Sequence, residues 1–580
     1  MKVDKITLLF TLALMAIFSL FYYPKWNKSG TEATLSWDSS GYYWYLPAIF
    51  IYKDIKKLGF SEDIIKKYNP SPDFQQAYKH PSGNYVLKYS SGQALVMSPG
   101  FFIGDFAAKI LDYPRDGFSP PYQFSIFLWG LMICLFGIYL LYLVLKRYFD
   151  PIVVSITLLI IVFGTNYLEY GGITNTMTHN YLFTFYAALL FVTDKFYMAP
   201  SWKWALCIGA ILGLMTLTRP TEIIALIIPV LYGISMNFSS IKERFHFIRS
   251  HWKHYFLASI LFVCIGSIQM FYWKYVTNEW FVYSYEDQGF SWLHPHLYEG
   301  LLSARAGWWV YSPLMFLIVP GFVILFYKKP SLAPSFGLFS LLFIYITFAW
   351  DIWWYGGSVG QRALVQIYPI LSFPIAAFVS LYKGLNFWTL ISTFLLLMGI
   401  NYNFWVIHQA HKGAMLYAGF MTKPYLKAIL LKKEMPEGAL KLLDTKYNHA
   451  SPLKQTTLMI SKDSSIQECV SQDQQFSIPH KVNLQGKVGW LRIQAKFRMG
   501  EKEWDTWKMT QLVVKYSKDS NEIYSDILRI QRHFDGGEQV LYLDSKIREG
   551  ADTVEIFLWN SEGNKEMCMS EFEVFNYSEW

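Results

Sequence analysis

The chain has 580 residues, of which 53% are hydrophobic, 19% aromatic and 16% charged. Soluble proteins carry about a quarter charged residues, so this composition argues against a soluble globular enzyme. The formal net charge is +8, but no basic-aromatic module of the kind found in nucleic-acid-binding proteins accompanies it, and we predict no nucleic-acid partner.

Long apolar runs account for the low charge. Runs of about 17–25 apolar residues can cross a bilayer as helices, and we predict about eleven of them. They lie near residues 6–23, 122–145, 151–168, 180–197, 204–218, 220–236, 255–273, 307–326, 335–350, 363–381 and 386–405. The first run ends in Phe21-Tyr22-Tyr23-Pro24, which lacks the small residues of a signal-peptide cleavage site, so we expect it to remain as an anchor.

Lysine and arginine in the short loops predict the orientation, because short basic loops stay on the cytoplasmic side. Such loops carry Lys146, Arg147, Lys195, Lys203, Lys328 and Lys329. We therefore place the amino terminus in the cytoplasm. The long loop 25–121, the loop 274–306 and the tail from about residue 406 are predicted on the periplasmic face of a bacterial inner membrane.

The long loop 25–121 is too long for a passive connection. Residues 42–58 and 92–111 are apolar but poorly suited to crossing, and we predict two interfacial helices there. The stretch "LSWDSSGYYWYLP" places Asp38 ahead of the first of them. This acid either caps the helix, since Asp before Ser-Ser is a good start signal, or is a working group at the membrane edge.

The tail changes to a period-two pattern. Short helices are predicted over 421–447, followed by strands in "LRIQAKFRM", "QLVVKYS", "QVLYLD", "TVEIFLW" and "FEVF". Several short strands at such spacing indicate a β-sandwich. We therefore divide the chain into a membrane domain (1–420), a helical connector (421–450) and an external β-sandwich domain (451–580).

Two features of the tail each allow two interpretations. Cys469 and Cys568 can form a bridge, because oxidation is permitted outside the cytoplasm, or remain two free thiols. Trp504 and Trp507 lie in a turn, where they can stack on a sugar or belong to the core.

Polar residues near the span ends are the candidates for chemistry, because ionisable groups within membranes are costly and usually functional. They are Asp38, Glu169, His179, Arg219, Glu222, Glu286, Asp287, His294, His296, Arg305, Asp351, Gln361 and Arg362. Each has a structural alternative: the arginines can anchor the interface, and the two histidines flanking Pro295 can shape a turn. Their spacing suggests a metal only weakly, because no third ligand is fixed by it, and we assign no certain cofactor.

A site outside the cytoplasm has no nucleotide-sugar donors, and activated sugars there come on lipid phosphates. Transfer from such a donor needs a carboxylate to accept the proton of the nucleophile and cations to hold the phosphate. A phosphate leaves without protonation, so one carboxylate can suffice, whereas cleavage of a glycoside needs a second one as acid.

Five segments resemble motifs of membrane glycosyltransferases of the GT-C fold, in particular the protein O-mannosyltransferase and aminoarabinose-transferase-like group. They are "SWDSSGYYWYLPA", "KYSSGQALVMSPGFF", "GLMTLTRPTEIIAL", "GLLSARAGWWVYSPL" and "WWYGGSVGQRALVQIYPI". The resemblance covers about residues 1–405. It implies a polytopic GT-C-like helical domain, a polyprenyl-phosphate-linked sugar as donor, an inverting single displacement and a pocket open to the periplasm.

The resemblance also implies roles for individual residues. Asp38 would be the general base, Arg305 and Arg362 would hold the donor phosphate, and Lys88 and Arg219 are second choices. Many relatives carry two adjacent acids where this chain has Asp38 followed by Ser39. A second acid would have to come from Glu286, Asp287 or Asp351. The acceptor is a lipid, a glycan or a protein.

Two other functions fit parts of the sequence. A transporter or flippase of a lipid-linked sugar would place its binding groups near the bilayer midplane, whereas the ionisable residues here lie at span ends. A membrane-anchored glycan-binding protein would need far fewer than about eleven spans. Both comparisons favour an enzyme.

Overall fold

The computed structural model describes residues 2–285, 288–382, 384, 386–444, 456–462, 467–484, 486–503, 508–534, 536–561 and 563–577. The chain forms two compact units, Met1–Gly419 and Phe420–Trp580. The first is mostly helical and the second is rich in β-strands.

The first unit is built from helices that follow the apolar runs of the sequence. Its α-helices are α1 (Val3–Phe21), α2 (Trp37–Tyr43), α3 (Tyr45–Phe50), α4 (Ser61–Tyr68), α5 (Gly92–Ile110), α6 (Pro120–Leu145), α7 (Pro151–Phe163), α8 (Thr178–Met198), α9 (Trp202–Thr218), α10 (Ile227–Leu231), α11 (Phe238–Ser250), α12 (Trp252–Gly266), α13 (Ile268–Thr277), α14 (Leu297–Leu302), α15 (Trp308–Tyr311), α16 (Ile318–Lys328), α17 (Ala333–Ala349), α18 (Arg362–Val365), α19 (Tyr368–Val379) and α20 (Phe387–His411). The described residues of this unit also form four 3-10 helices (Lys25–Asn27, Gly30–Glu32, Pro220–Leu226, Pro313–Leu317), a π-helical turn (Leu168–Ile173) and an antiparallel pair of short strands, β1 (Ala77–Lys79) and β2 (Tyr85–Leu87).

Four helical segments among the described residues are long and apolar enough to cross a membrane: Val3–Asn27, Pro120–Leu145, Trp252–Thr277 and Phe387–His411. Shorter apolar helices include α7, α9, α17 and α19. Every predicted span coincides with one or more helical segments. A helical membrane protein is therefore confirmed, and the number of crossings stays a prediction.

The long loop 25–121 contains helices in both regions where interfacial helices are predicted, and their position at the membrane interface stays a prediction. Helix α5 matches the prediction over 92–111, whereas the helix predicted over 42–58 is correct only in its first half, because α3 ends at Phe50. Lys53 has a left-handed backbone. The carboxylate of Asp54 accepts hydrogen bonds from the backbone N–H groups of Lys57 and Gly59. These local bonds compete with helix formation and turn the chain instead.

A hydrophobic cluster beneath this loop holds α2 and α3 in place. Tyr43 and Trp44 are fully buried there with Met97 and Phe101 of α5. Burial of large aromatic side chains contributes about 1.5–3 kcal/mol each, so the segment that carries Asp38 is firmly packed.

The second unit is a β-sandwich with a short helical lead. It contains α21 (Lys423–Ile429), two 3-10 helices (Ala439–Leu443, Ile530–Arg532) and the strands β3 (Thr456–Ser461), β4 (Glu468–Val470), β5 (His480–Asn483), β6 (Trp490–Met499), β7 (Gln511–Lys518), β8 (Asn521–Arg529), β9 (Gly537–Lys546), β10 (Thr553–Trp559) and β11 (Met567–Tyr577). One sheet has the order β5-β10-β7-β8 and the other β3-β11-β6-β9, with β4 also on β11. Both sheets contribute to one hydrophobic core, which confirms the predicted sandwich.

Cys469 and Cys568 form a disulfide in this unit. They face each other directly in the antiparallel pairing of β4 with β11. The bridged alternative is therefore the one that the structure contains, whereas Trp504 and Trp507 lie outside the described residues.

Candidate active site

Asp38 lies in the first turn of α2 and does not cap it. The N-cap position is occupied by Ser36, with no side-chain capping bond. The carboxylate of Asp38 instead accepts a hydrogen bond from the Tyr89 hydroxyl at 2.6 Å on Oδ1 and pairs with Arg362 at 2.6 Å on Oδ2. The cap interpretation is wrong, because the side chain is turned towards residues that are distant in sequence.

The environment keeps this carboxylate charged. Burial by itself raises the pKa of Asp38, but the charge of Arg362, the hydrogen bonds from Tyr89 and Arg362 and the charge of Lys88 outweigh it and lower that pKa below its usual value. Burial and the nearby Asp38 raise the pKa of Tyr89 well above its usual value, so the tyrosine remains a donor. The Asp38 side chain keeps 27% of its exposure, so it remains accessible to a ligand.

Two glycines allow the close approaches that assemble this site. A Cβ on Gly41 would overlap the ring of Tyr89, so glycine on α2 lets that ring reach Asp38. A Cβ on Gly92 would overlap the backbone of Thr218, which lies just before Arg219. The segments "WDSSG", "KYSSG" and "LTRP" therefore meet at one place.

Arg219 is held by a run of buried, hydrogen-bonded polar side chains. Its Nη1 donates to Oε1 of Gln366 at 3.2 Å, and Nδ1 of His179 lies 3.0 Å from the same oxygen. The Gln366 amide nitrogen donates to Glu222, which also accepts from the Tyr186 hydroxyl at 2.5 Å. Glu222 is fully buried. It fixes the orientation of the Gln366 amide, so the amide oxygen faces Arg219 and His179.

Tyrosines line the space around the acid and the arginines. The ring of Tyr89 packs on Tyr42 at 4.6 Å and meets Tyr285 edge-on at 6.3 Å. The ammonium of Lys88 lies 5.4 Å from the centre of the Tyr285 ring. The hydroxyls of Tyr42 and Tyr285 lie close enough to feel the charges of Asp38, Arg219 and Arg362. Among the residues that the structure describes, the site thus combines one acid and three cations with an aromatic wall.

Arg305 does not join this group in the way that the resemblance implied. Its Nε donates to the carbonyl oxygen of Gly419 at 2.7 Å, and its guanidinium stacks on Trp354 at 3.5 Å. The resemblance implied the same phosphate-holding role for Arg362 and Arg305, but of these two only Arg362 contacts Asp38. Gln361 is buried and donates to the carbonyl oxygen of Trp353.

The second acid expected near Asp38 is not found among the described candidates. The two carboxylate oxygens of Asp351 accept hydrogen bonds from the backbone N–H of Gly289 at 2.9 Å and the hydroxyl of Ser291 at 2.7 Å, so Asp351 ties its segment to residues 289–291. Glu286 and Asp287 lie outside the described residues. The Ser39 hydroxyl, at the place of the missing acid, bonds to Thr176 at 2.9 Å.

The remaining candidates have structural partners. Glu169 pairs with His411 of α20 at 2.7 Å. The backbone N–H of His294 donates to the carbonyl oxygen of Ser291, as expected of a turn, whereas that of His296 donates to the carbonyl oxygen of Phe348, which is distant in sequence. In the described part of the chain, one group has metal-ligand geometry, Cys469, Glu566 and Cys568, and its two sulfurs are joined in the disulfide.

Comparison with known proteins bears on the class of this site. Residues 120–271 match the family model described as dolichyl-phosphate-mannose-protein mannosyltransferase. The predicted family resemblance is confirmed for this segment. The mannosyltransferase-like segment contains His179, Arg219 and Glu222, and it supports a membrane glycosyltransferase as the class of the protein.

Two further comparisons carry no argument about function. ArnT from Cupriavidus metallidurans, solved in the apo state, is 12% identical with a TM-score of 0.38, and the similarity covers 68% of each chain. No curated protein sequence matches.

Sequence reasoning missed Tyr89 and Gln366. Tyr89 stands beside the candidate Lys88 in "KYSSG", where a phenol is a ready donor to a nearby carboxylate. Gln366 is a polar amide within the apolar run 363–381, and such residues in membrane helices usually have a specific partner. Both signals were present, but the partners were not visible from local sequence.

Proposed function

We propose that the protein is a glycosyltransferase of the bacterial inner membrane that moves a sugar from a polyprenyl-phosphate-linked donor to a lipid, glycan or protein acceptor. The reaction takes place on the periplasmic side and inverts the anomeric centre. The observation that carries this proposal is the meeting of Asp38 and Arg362, which are far apart in sequence, beside Arg219 and Lys88. The mannosyltransferase-like segment supports the same class.

Asp38 acts as the general base in this mechanism. The acceptor nucleophile attacks the anomeric carbon while the bond from that carbon to the phosphate oxygen breaks. The proton of the nucleophile passes to the Asp38 carboxylate. Because the phosphate leaves as a stable anion, no second carboxylate has to protonate it, in contrast to glycoside hydrolysis.

The cations bind and stabilise the leaving phosphate. Arg362 presents a planar guanidinium that suits bidentate binding of phosphate oxygens, and Arg219 and Lys88 add positive charge. Gln366 keeps Arg219 in position. In a site partly withdrawn from water, these groups stabilise the charge that develops as the phosphate leaves.

Substitution of the base tests this function. Asp38→Asn keeps the shape of the side chain but removes its basicity, and we expect transfer to fall by about 10²–10⁴-fold. The measurement is sugar transfer by purified full-length protein from a radiolabelled polyprenyl-phosphate sugar. Asp63→Asn, an exposed acid of the same long loop, is the matched control and should leave the rate unchanged. Near-normal turnover of Asp38→Asn would remove Asp38 from the catalytic role.

A further inference from the structure

Both carboxylate oxygens of Asp38 are engaged, and by groups of different kinds. Tyr89 donates to Oδ1 and Arg362 to Oδ2, each at 2.6 Å. In this arrangement the negative charge of the proposed base is paired with the residue that is also proposed to hold the donor phosphate. One arginine cannot give its full charge to both anions at once.

The tyrosine is fixed in its place. Its ring lies against Gly41 without room for a Cβ and packs on Tyr42. The Tyr45 hydroxyl donates to its carbonyl oxygen at 2.7 Å. Tyr89 therefore has little freedom to leave Oδ1.

Arg362 keeps unused bonding capacity. Its Nε is buried and has no hydrogen-bond partner within the described part of the chain. The side chain retains 18% of its exposure, and a guanidinium offers five donors. A phosphate entering beside Arg219 and Lys88 would offer Arg362 a stronger, bidentate partner than one carboxylate oxygen.

We propose that Arg362 is an exchangeable partner of Asp38: the donor phosphate draws Arg362 away and so uncovers Oδ2, while Tyr89 continues to hold Oδ1. This inference rests on the proposed function. It makes donor binding the event that prepares the base, so the donor must bind before the acceptor is deprotonated. The groups that face the carboxylate are Arg362, Tyr89 and Lys88, and loss of the Arg362 contact raises the pKa of Asp38 and makes it a stronger base.

The exchange predicts a specific coupling in lipid-phosphate binding. If Asp38 competes with phosphate for Arg362, then Asp38→Asn should bind polyprenyl phosphate about tenfold more tightly than the unchanged protein. Arg362→Gln should bind it more weakly. In the Arg362→Gln background, the additional Asp38→Asn change should alter the affinity by less than about twofold, because there is no longer an arginine to compete for. The measurement is titration of purified full-length protein with polyprenyl phosphate, followed by intrinsic fluorescence.

The pattern of affinities distinguishes exchange of Arg362 from simple charge repulsion. An equal gain from Asp38→Asn in both backgrounds would mean that the acid merely repels the phosphate, and would overturn the exchange. No gain in either background would overturn it as well. Tyr89→Phe leaves the Asp38–Arg362 pair in place and should bind polyprenyl phosphate within about twofold of the unchanged protein.

Two controls complete the experiment. Elution profile and melting temperature establish that each variant is folded, and Arg362→Lys replaces Arg362→Gln if the latter does not fold, with a smaller gain expected from Asp38→Asn than in the unchanged protein. If the unchanged protein does not bind polyprenyl phosphate, the proposed donor class fails, and the exchange fails with it. If it binds but the coupling is absent, the exchange alone fails.

Discussion

At the scale of single residues, Tyr89 sets the orientation and the charged form of the proposed base, Asp38. It donates to Asp38 from a ring held against Gly41. A hydrogen bond to a charged group contributes about 1.5–3 kcal/mol, so the tyrosine both orients the carboxylate and stabilises its charged form. The local sequence "KYSSG" gave no indication that its tyrosine and "SWDSS" would meet, because that contact depends on the packing of α2 against α5.

We expect Tyr89→Phe to lower the transfer rate by about tenfold, because Asp38 loses its fixed orientation. The substitution also raises the pKa of Asp38, since the hydrogen bond that lowers it is gone. A base works only when deprotonated and loses activity as the pH falls through its pKa. The acid limb of the rate profile should therefore move to higher pH. Rates measured over a pH series test this, with the exposed Tyr298→Phe as control; an unshifted limb would contradict the role.

At the scale of secondary-structure elements, the 3-10 helix Ala439–Leu443 places a lysine in an unfavourable setting. Lys441 is 7% exposed, and its ammonium lies 3.3 Å from the centre of the Tyr542 ring without a hydrogen-bond partner within the described residues. Burial and the charge of Arg492 lower the pKa of Lys441 to about 7, against an opposing effect of Asp544. This element therefore packs on the β-sandwich at a cost in stability.

Lys441→Met should stabilise the second unit at pH 7 by on the order of 2–4 kcal/mol. Between pH 10.5 and 7 the unfolded chain takes up a proton that the native lysine does not, so the wild-type unit loses stability as the pH falls through this window. Above it the lysine is neutral in both states. The gain from the substitution should therefore shrink towards pH 11. Denaturant unfolding of the expressed fragment 420–580, wild type against variant, measures it; a gain independent of pH would show that the buried charge of Lys441 is not the cause.

The elements themselves were predictable to different degrees. Strands with clear alternation, such as β6 and β10, follow from sequence, whereas β5 (His480–Asn483) and β8 (Asn521–Arg529) were missed because they are short or rich in charged residues. The helix expected over 42–58 ends early, at Phe50, because Asp54 bonds to local backbone groups. The periodicity of apolar residues predicts where an element lies, whereas local hydrogen bonds from side chains to the backbone decide where it ends.

At the scale of the whole molecule, the site is assembled from segments spread over more than half of the chain. The sequence alone identified Asp38, Arg219 and Arg362 as candidates but ranked Arg305 with Arg362. The two arginines have similar local surroundings in sequence, and only tertiary packing sends one to Asp38 and the other to Trp354. The polar chain from Glu222 through Gln366 to Arg219 likewise links distant segments, and local patterns cannot specify such links.

The disulfide of the second unit gives a test of the orientation of the whole chain. Cys469 and Cys568 are bonded across β4 and β11, and disulfides persist in the periplasm but not in the cytoplasm. If residues 420–580 face the periplasm, both thiols should be oxidised in cells, and alkylation before and after reduction should reveal them only after reduction. Cys568→Ser should destabilise this unit by about 2–4 kcal/mol. Cys264→Ser, which changes a free cysteine of α12, is the matched control and should leave the unit's stability unchanged. Reduced Cys469 and Cys568 in protein taken directly from cells would place the second unit in the cytoplasm and reverse the predicted orientation.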